Sequence, residues 1–239
     1  MLEAHRPKKS CYDDVVFLKI QPYLCKKAQA MLIAKAANTP RSAPSNPKRA
    51  KRVAKKYSLA DYLRKEDKAL EKHEFHNGNV KLMAGGTLNH DLISQNISFE
   101  LRKATEILDK QYLILGSNIK IYIAEHNRAL YADALVVCEK PDFWEGNSLL
   151  LTNPLLIVEV LSRSTQTFDR GDKFSYYRTL PSFCEYVLIS QEECSVETWF
   201  RQEPTLWRET TLNTLNDVLP LRSLGVSIAL SDIYTNINL

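Results

Sequence analysis

The stretch Leu130-Tyr-Ala-Asp-Ala-Leu-Val-Val-Cys138 is apolar and rich in β-branched residues, and a second stretch of the same kind, Pro154-Leu-Leu-Ile-Val-Glu-Val-Leu161, follows it. Runs of this length without polar alternation are typical of strands that are buried on both faces of a sheet. Each run carries one carboxylate, Asp133 in the first and Glu159 in the second. The sequence therefore predicts two core strands, each with an acid inside the sheet.

Such carboxylates need a partner, because an unpaired buried carboxylate costs several kcal/mol or more. If the two strands are neighbours and bring the acids within ~4 Å, their repulsion at an effective dielectric constant of ~20 is about 4 kcal/mol. Repulsion of this size favours either a shared proton or a bound cation. Carboxylate oxygens suit Mg²⁺ or Mn²⁺, and such an ion can acidify a bound water and neutralise charge on a phosphate under attack. The pattern indicates a metal-dependent phosphodiesterase centre.

Lys173 adds an amine to the two acids. It follows Thr165-Gln-Thr-Phe-Asp-Arg-Gly-Asp172, in which Asp169 is suited to cap a helix that Pro181 stops. On that helix Lys173 and Tyr177 share one face, because residues four apart are neighbours on a helix surface. An ammonium group there can hold an attacking water or stabilise a pentavalent phosphate. The alternative is that the lysine is an ordinary exposed one and that the first acid pairs with an arginine.

Short motifs in a fixed order extend over most of the chain. They are Tyr57-Ser-Leu-Ala-Asp-Tyr62, His73-Glu-Phe-His-Asn-Gly78, Met83-Ala-Gly-Gly-Thr-Leu-Asn-His90 with Asn96, Tyr131-Ala-Asp133, Asn153-Pro-Leu-Leu-Ile-Val-Glu-Val-Leu-Ser162 with Ser164-Thr165, Asp169-Arg-Gly-Asp-Lys173 with Tyr177, and Glu185-Tyr-Val-Leu-Ile189. In these motifs the chain resembles the Uma-two family of restriction endonucleases, in the PD-(D/E)XK nuclease superfamily, from about Tyr57 to Ile237. The resemblance implies a restriction-endonuclease-like core and a metal-dependent endonuclease that acts on DNA.

The resemblance also implies roles for individual residues. Asp133 and Glu159 match the metal-binding acids, with Mg²⁺ or Mn²⁺ as the ion, and the backbone carbonyl of Val160 is a further candidate ligand. Lys173 matches a catalytic lysine that has migrated to the helix, since the usual lysine position, two residues after the second acid, is a leucine here. The sequence departs from the family at Ala132, where proline is common. Proline there would shape the strand and donate no ligand, so the departure leaves the chemistry intact.

Glu74 and His90 match two further family positions near the site, and each has a second interpretation. Glu74 precedes the Asn77-Gly78 pair, which predicts a turn between two short strands. It completes the metal shell directly or through water, or it is an exposed hairpin glutamate. His90 begins a helical stripe, so it is either a site residue or a packing residue that faces the sheet. The apolar members of that stripe are Ile93, Ile97, Leu101, Ala104 and Leu108.

The remaining pattern gives the coarse architecture. It predicts a helix over 57–70, a hairpin that ends at Met83 and a long helix over about 89–110. Further strands are predicted at 112–115, 119–123, 183–189, 196–201 and 207–211. Strands that alternate with helices and then meander indicate an α/β or α+β domain with a mixed central sheet flanked by helices. This domain is expected over 57–239, after a basic, poorly ordered extension and linker over 1–56.

Charge separates these two parts of the chain. Residues 1–56 hold 14 Lys and Arg against 3 Asp and Glu, which leaves 18 against 25 in residues 57–239. Sequence-independent binding of DNA needs lysine or arginine contacts to phosphates. Residues 57–239 carry a net negative charge, so their composition does not favour such binding. The cluster Lys48-Arg-Ala-Lys-Arg-Val-Ala-Lys-Lys56 either provides such contacts or is a solvated linker. DNA is the expected partner, and whether the protein forms a homodimer is left open.

Composition limits the size of the core, the state of the cysteines and the partners that the protein is expected to have. With 239 residues, 44% of them hydrophobic, the chain can build a sizeable core. Its five cysteines have no Cys-x-x-Cys spacing, which predicts reduced thiols in a cytoplasmic protein and argues against a zinc site. No apolar run approaches the ~20 residues of a membrane helix, so no membrane partner is expected. The alternatives to a DNA endonuclease are a catalytically silent nuclease-fold module that binds nucleic acid or a protein partner, and a hydrolase with another substrate.

Overall fold

Thirteen strands grouped in three sheets form the framework of the computed structural model, which describes residues 56–83 and 85–239. In chain order they are β1 (His73–His76), β2 (Asn79–Leu82), β3 (Tyr112–Gly116), β4 (Lys120–Ile123), β5 (Arg128–Tyr131), β6 (Ala134–Cys138), β7 (Leu150–Leu151), β8 (Leu156–Leu161), β9 (Glu185–Ser190), β10 (Val196–Arg201), β11 (Trp207–Leu212), β12 (Val218–Leu221) and β13 (Val226–Ala229). The helices are α1 (Leu59–Glu66), α2 (Leu88–Glu106), α3 (Gln166–Phe168), α4 (Phe174–Tyr177) and α5 (Leu230–Ile233), and a π-helical turn, Asp169–Lys173, joins α3 to α4. We call the segment from α3 through this π turn to α4 the lysine helix.

The largest sheet has six strands and contains β6 and β8 near its centre. Its order is β11-β10-β9-β8-β6-β3, with β8 and β9 parallel and the other neighbours antiparallel. Every residue of β6, β8 and β9 is buried. Both faces of these strands are covered, which is why their sequences are apolar without alternation.

One face of the six-stranded sheet is covered by α2. Thr87 caps this helix by accepting a hydrogen bond from the backbone N–H of His90 at 3.2 Å. Ile93, Ile97 and Leu101 are fully buried and pack in one apolar cluster with side chains of β6 and β8. The predicted stripe is therefore the face of α2 that meets the sheet, and His90 lies in the first turn of the helix.

The lysine helix covers the opposite face. Val158 packs in the cluster under α2, whereas its neighbours in the strand, Ile157 and Leu161, pack in a second cluster. Glu159 belongs to the side of Ile157 and Leu161, because side chains two apart in a strand point the same way. The aromatic members of the second cluster are Phe174, Tyr177, Phe183 and Tyr186, with Trp199 and Trp207 packed against it.

A second sheet of five strands contributes to the cluster under the lysine helix. Its order is β2-β1-β5-β4-β7, antiparallel apart from the parallel pair of β4 and β7. The predicted hairpin is β1 and β2, and its turn residues Asn77 and Gly78 have φ angles of 46° and 92°, which asparagine and glycine tolerate. Ile121, Ile123 and Leu130 of this sheet are buried beside the aromatic side chains of the lysine helix.

Three features differ from the sequence prediction. The run that carries the first acid is two strands, β5 and β6, and Ala132 and Asp133 form the link between them, so the run passes from one sheet to the other. α1 ends at Glu66 and does not reach residue 70, since Leu70 is fully exposed and has no apolar surface to pack against. The hairpin of β12 and β13, followed by α5, is missing from the prediction, because its strands are short and contain Pro220, which is uncommon within a sheet.

The structure bears on the expectations for the cysteines, for membrane helices and for the N-terminal extension. Cys184 and Cys194 are free thiols. The expectation of reduced thiols agrees with these two cysteines and stays a prediction for the other three. Within 56–83 and 85–239 no helix is long and apolar enough to cross a membrane. The expected extension over 1–56 lies outside the described residues, apart from Lys56.

Candidate active site

The register of β6 against β8 brings Asp133 to Glu159. The last pair of this ladder is Ala134 opposite Val158, so one further step places Asp133 opposite Glu159. Asp133 lies just outside β6, and its side chain takes over the role of a backbone acceptor from that strand. Oδ2 of Asp133 accepts a hydrogen bond from the backbone N–H of Val160 at 2.7 Å. The first predicted acid is therefore fixed against the backbone beside the second.

Glu159 is buried and paired with the lysine. Its side chain is 4% exposed, and its Oε1 lies 2.8 Å from Nζ of Lys173. The Tyr177 hydroxyl donates to the same oxygen at 3.2 Å. Lys173 and Tyr177 thus share one helix face, as their spacing predicts, and this face meets the carboxylate. Because Lys173 is itself buried, the alternative of an ordinary exposed helix lysine is wrong.

Asp169 belongs to this group, although the sequence predicted a different role for it. The helix begins at Gln166, so Asp169 does not cap it and lies inside it, in the π turn. The Asp169 carboxylate is buried, and its Oδ1 lies 3.4 Å from Nζ of Lys173. Isolated π turns within helices are frequent at functional sites. The signal that could have identified Asp169 is its position four residues before the lysine, which puts both on one helix face.

His90 lies beside the first acid. Its Nε2 is 3.3 Å from Oδ2 of Asp133, and the two side chains are 22% and 17% exposed. Hydrogen bonding to Asp133 raises the pKa of His90 above its ordinary value, and burial offsets only part of this rise. A Cβ atom on Gly86 would lie 3.2 Å from Nδ1 of His90, so glycine at that position lets the loop before α2 pass close to the ring. The structure thus brings His90 to the acid at the edge of the predicted apolar stripe.

Glu74 reaches the group from β1. Its side chain is 13% exposed, so the alternative of an exposed hairpin glutamate is wrong. Oε1 of Glu74 accepts a hydrogen bond from the backbone N–H of Tyr131 at 3.3 Å, and Oε2 lies 2.9 Å from Nε2 of His76. Burial acts to raise the pKa of Glu74, but the hydrogen bond with His76 and the charge of Lys173 outweigh it and lower the pKa below its ordinary value. Glu74 is therefore an ionised member of the group, within electrostatic reach of Lys173.

Carboxylates outnumber the ammonium group at this site. Burial raises the pKa of Glu159 well above its ordinary value, and Asp169 and Asp133 act in the same direction while Lys173 opposes them. Burial acts to lower the pKa of Lys173, yet Glu159, Asp169 and Glu74 hold it well above its ordinary value. The two directions agree, since the lysine keeps its charge and the surplus of negative charge makes Glu159 harder to ionise. An added cation would relieve this repulsion.

Comparison with known proteins gives the chain a family. A family model described as "Uma2: Putative restriction endonuclease" matches residues 59–231. This chain belongs to the Uma2 family. "Uncharacterized protein sll1609" of Synechocystis sp. is 39% identical over 155 residues, which cover 65% of this chain and 86% of that protein. "Uncharacterized protein slr1290" of the same organism is 32% identical over 179 residues, which cover 75% of this chain and 92% of that protein.

A solved structure gives the same answer for the fold. The crystal structure of "a putative nuclease belonging to DUF820" from Anabaena variabilis ATCC 29413 superposes with a TM-score of 0.60 at 13% identity, covering 75% of this chain and 98% of that chain. At this identity the likeness concerns the fold. The predicted restriction-endonuclease-like core, with mixed sheets flanked by helices, is confirmed, and so is the family resemblance that the motifs carried. The Uma2 family is described as one of nucleases, which supports a nuclease-like function for the chain.

The acids of the site are of the donor type that small divalent cations bind. Among residues 56–83 and 85–239, no three His, Cys, Asp or Glu side chains are already arranged to hold a metal ion. Mg²⁺ commonly takes one or two carboxylates and fills its other positions with water and substrate phosphate. Asp133 and Glu159 supply such a pair of carboxylates. At Val160 the group that contacts the acid is the N–H, and a role for its carbonyl stays a prediction.

Proposed function

We propose that this chain is a metal-dependent endonuclease that hydrolyses phosphodiester bonds in DNA, with Mg²⁺ or Mn²⁺ as its ion. One observation carries the proposal: Nζ of Lys173 lies 2.8 Å from Oε1 of Glu159, in a buried group beside Asp133. Two carboxylates and an amine are the parts with which a protein can bind a divalent ion and stabilise a phosphate under attack. Membership of the Uma2 family supports the same class of activity.

Asp133 and Glu159 would hold the ion, with the carbonyl of Val160 as a further ligand. A bound Mg²⁺ or Mn²⁺ supplies Lewis-acid chemistry, because it neutralises charge on the phosphate and acidifies water. Asp133 is suited to ligation because the N–H of Val160 fixes its Oδ2 at 2.7 Å. His90 contacts the same oxygen at 3.3 Å and restrains the carboxylate from the side of α2.

Lys173 would act on the reacting atoms. Its ammonium group lies 2.8 Å from Glu159 and 3.4 Å from Asp169, and these two acids keep it protonated and aimed into the site. A protonated amine orients a water molecule by donating to its oxygen, and it stabilises the negative charge that develops on the phosphate oxygens. Tyr177 donates to the Glu159 oxygen that the lysine also contacts, so it would help to orient this carboxylate.

DNA is the proposed substrate, and the charge of the chain sets a condition on how it binds. Residues 57–239 hold 18 Lys and Arg against 25 Asp and Glu, and the site gathers four of those acids, Glu74, Asp133, Glu159 and Asp169. A phosphodiester is repelled by such a site unless a divalent cation lowers the local negative charge. Binding of DNA at the site is therefore expected to require the metal, and a homodimer would bring two such sites to two strands.

A plasmid-cleavage assay tests the proposal. Supercoiled plasmid is incubated in Mg²⁺ or Mn²⁺ with the wild type, Asp133→Ala, Glu159→Ala and Lys173→Ala. Each substitution is expected to lower the rate by about a hundredfold or more, since each removes a charge that serves the reacting phosphate. Lys103→Ala is the matched control, because this exposed lysine pairs with Glu100 on α2. Equal cleavage by the wild type and all site variants, or full cleavage in excess EDTA, would overturn the proposal.

The ion pair of Lys173 with Glu159 also favours a second candidate function. The lysine neutralises the buried acid internally at 2.8 Å, as a catalytically silent nuclease-fold module that binds nucleic acid or a protein partner would require. Calorimetry separates the two functions. Micromolar affinity for Mn²⁺ that is lost in Glu159→Gln supports the enzyme, whereas no heat of binding up to millimolar Mn²⁺ supports the silent module.

A further inference from the structure

We infer that His76 is a positioning residue of this site and that it holds Glu74 toward Lys173 through a hydrogen-bonded chain that starts at Arg128. The inference rests on the proposed function, because it concerns an acid of the proposed active site. Neither His76 nor Arg128 belongs to the residues that the sequence predicted for the site.

The chain of contacts runs across the pairing of β1 with β5. His76 and Arg128 are directly opposite each other in this ladder. Nη1 of Arg128 lies 2.7 Å from Nδ1 of His76, and Nε2 of His76 lies 2.9 Å from Oε2 of Glu74. Glu74 and His76 are two residues apart in β1, so their side chains lie on one face of the strand. The three side chains therefore connect β5 to the carboxylate without a gap.

The neighbours of His76 determine where its proton lies. A guanidinium group only donates hydrogen bonds, so Nδ1 of His76 accepts the bond from Arg128. A neutral imidazole then carries its proton on Nε2, and this N–H donates to Glu74. In the other tautomer two donors would face each other at Arg128 and two acceptors would face each other at Glu74. Arg128 thus selects the tautomer that supports the acid.

Aromatic rings of the lysine helix hold this chain in place. The Arg128 guanidinium lies 4.0 Å from the ring centre of Tyr176, and the His76 ring centre lies 5.7 Å from that of Phe168. Phe168 and Tyr176 lie on either side of Lys173 along the same helix. His76 is 4% exposed, so water does not compete for its hydrogen bonds and they are stronger than exposed ones. The chain therefore links the placement of Glu74 to the helix that carries the lysine.

This support decides how Glu74 can act. Its Oε2 is engaged by His76 and its Oε1 accepts from the N–H of Tyr131, at 2.9 and 3.3 Å. A carboxylate restrained at both oxygens keeps its orientation but has fewer lone pairs left for a metal ion. Glu74 therefore acts through its charge and through water, and His76 sets the position of that charge. Removing a supporting partner of this kind typically costs about 10–100-fold in metal affinity or activity.

Two substitutions of His76 test the inference. His76→Gln keeps an N–H that can reach Glu74, whereas His76→Leu removes the donor. We expect His76→Leu to lose about 10–100-fold in Mn²⁺ affinity by calorimetry and in the rate of plasmid cleavage, and His76→Gln to retain most of both. Arg128→Met is expected to reproduce part of the loss, because Nδ1 then lacks the donor that selects the tautomer. His126→Leu is the matched control. The His126 ring centre lies 4.9 Å from that of Tyr176, but His126 takes no part in the hydrogen bonds that join Arg128, His76 and Glu74.

A second measurement reads the tautomer without metal or DNA. In ¹H–¹⁵N spectra of protein labelled at histidine, we expect the Nε2–H form for His76, assigned by its loss in His76→Leu. An Nδ1–H form, or equal Mn²⁺ affinity and cleavage in His76→Leu and wild type, would overturn the positioning role and leave the proposed function standing. A wild type that neither binds Mn²⁺ nor cuts DNA would overturn the proposed function and the positioning role together. If denaturation curves show that His76→Leu is unfolded, Arg128→Met and His76→Gln are compared instead. Lower Mn²⁺ affinity and slower cleavage in Arg128→Met than in His76→Gln would support the positioning role, and equal values would overturn it.

Discussion

The Tyr177 hydroxyl donates a hydrogen bond to Oε1 of Glu159 at 3.2 Å, and it does so beside the lysine that contacts the same oxygen. Burial raises the pKa of Tyr177 well above its ordinary value, so the hydroxyl keeps its proton and remains a donor. The acid at the centre of the proposed site is thus held by two donors from one helix face.

Removing this hydroxyl tests how much it contributes. Tyr177→Phe leaves the buried Glu159 carboxylate with one hydrogen-bond donor fewer. We expect it to lower the free energy of unfolding by about 1–2 kcal/mol and the cleavage rate about tenfold. Urea denaturation and plasmid cleavage measure the two effects. Tyr122→Phe is the matched control, because the Tyr122 hydroxyl donates to Asn127 at 3.2 Å in the five-stranded sheet. A Tyr177→Phe protein that cuts at the wild-type rate would contradict the prediction.

The buried carboxylate of Asp169 is expected to matter for activity. Asp169→Asn removes one of the two acids that hold the ammonium group of Lys173, while keeping the size of the side chain. The amine is then less strongly oriented, and we predict a fall of about tenfold in cleavage rate, which corresponds to about 1.4 kcal/mol of transition-state stabilisation. Asp172→Asn is the control, since Asp172 is exposed on the same helix. Similar rates for the two variants would count against a role for Asp169.

The contact of His90 with Asp133 predicts a pH dependence of stability. The folded pKa of His90 lies above its unfolded value of about 6.5. The contribution of the contact is therefore fully present below the unfolded pKa and is lost as the pH rises through the folded pKa. We expect the wild type to exceed His90→Gln in free energy of unfolding by more at about pH 5.5 than at about pH 8.5. Urea denaturation at both pH values measures this difference, and a gap that widens with pH would contradict it.

Glu185 is expected to serve the fold and not the chemistry. Its fully buried carboxylate accepts hydrogen bonds from the N–H of Arg222 at 3.0 Å and from the N–H and hydroxyl of Ser223 at 2.9 and 2.7 Å. Glu185→Ala strands these donors, and we predict a loss of about 3 kcal/mol in free energy of unfolding. Glu203→Ala, at an exposed position, is the control and should change it by less than about 0.5 kcal/mol. Equal stability of the two variants would show that the turn after β12 finds other partners.

Features that depend on spacing along the chain were predictable. The strand predicted at 196–201 is β10, Val196–Arg201, and the stripe that begins after His90 is the buried face of α2. Lys173 and Tyr177 share a helix face because the helical repeat puts residues four apart on one side. These predictions succeeded because period and burial are properties of neighbouring residues.

Features that depend on contacts between residues far apart in the sequence could not be predicted. Asp169 is four residues before Lys173, so the sequence places the two on one helix face. The burial of Asp169, however, depends on β8 and β9, against which the lysine helix packs. The pairing of His76 with Arg128 joins residues 52 positions apart, and no local pattern marks either of them. The link at Ala132 looked like part of one strand, because an apolar run does not show where it passes from one sheet to another.

Consecutive residues were enough to predict the fold class and the family, and to single out the two acids and the lysine that the structure brings together, because apolar periodicity and short motifs are local features of the chain. The packed fold was needed to show that Asp133 lies against the backbone of Val160, that Lys173 lies 2.8 Å from Glu159, and that Asp169 and Glu74 join them. The physical reason is that a carboxylate acquires its protonation, its partners and its orientation from burial and from charges within a few ångströms. Those neighbours come together only when strands, helix and link have packed.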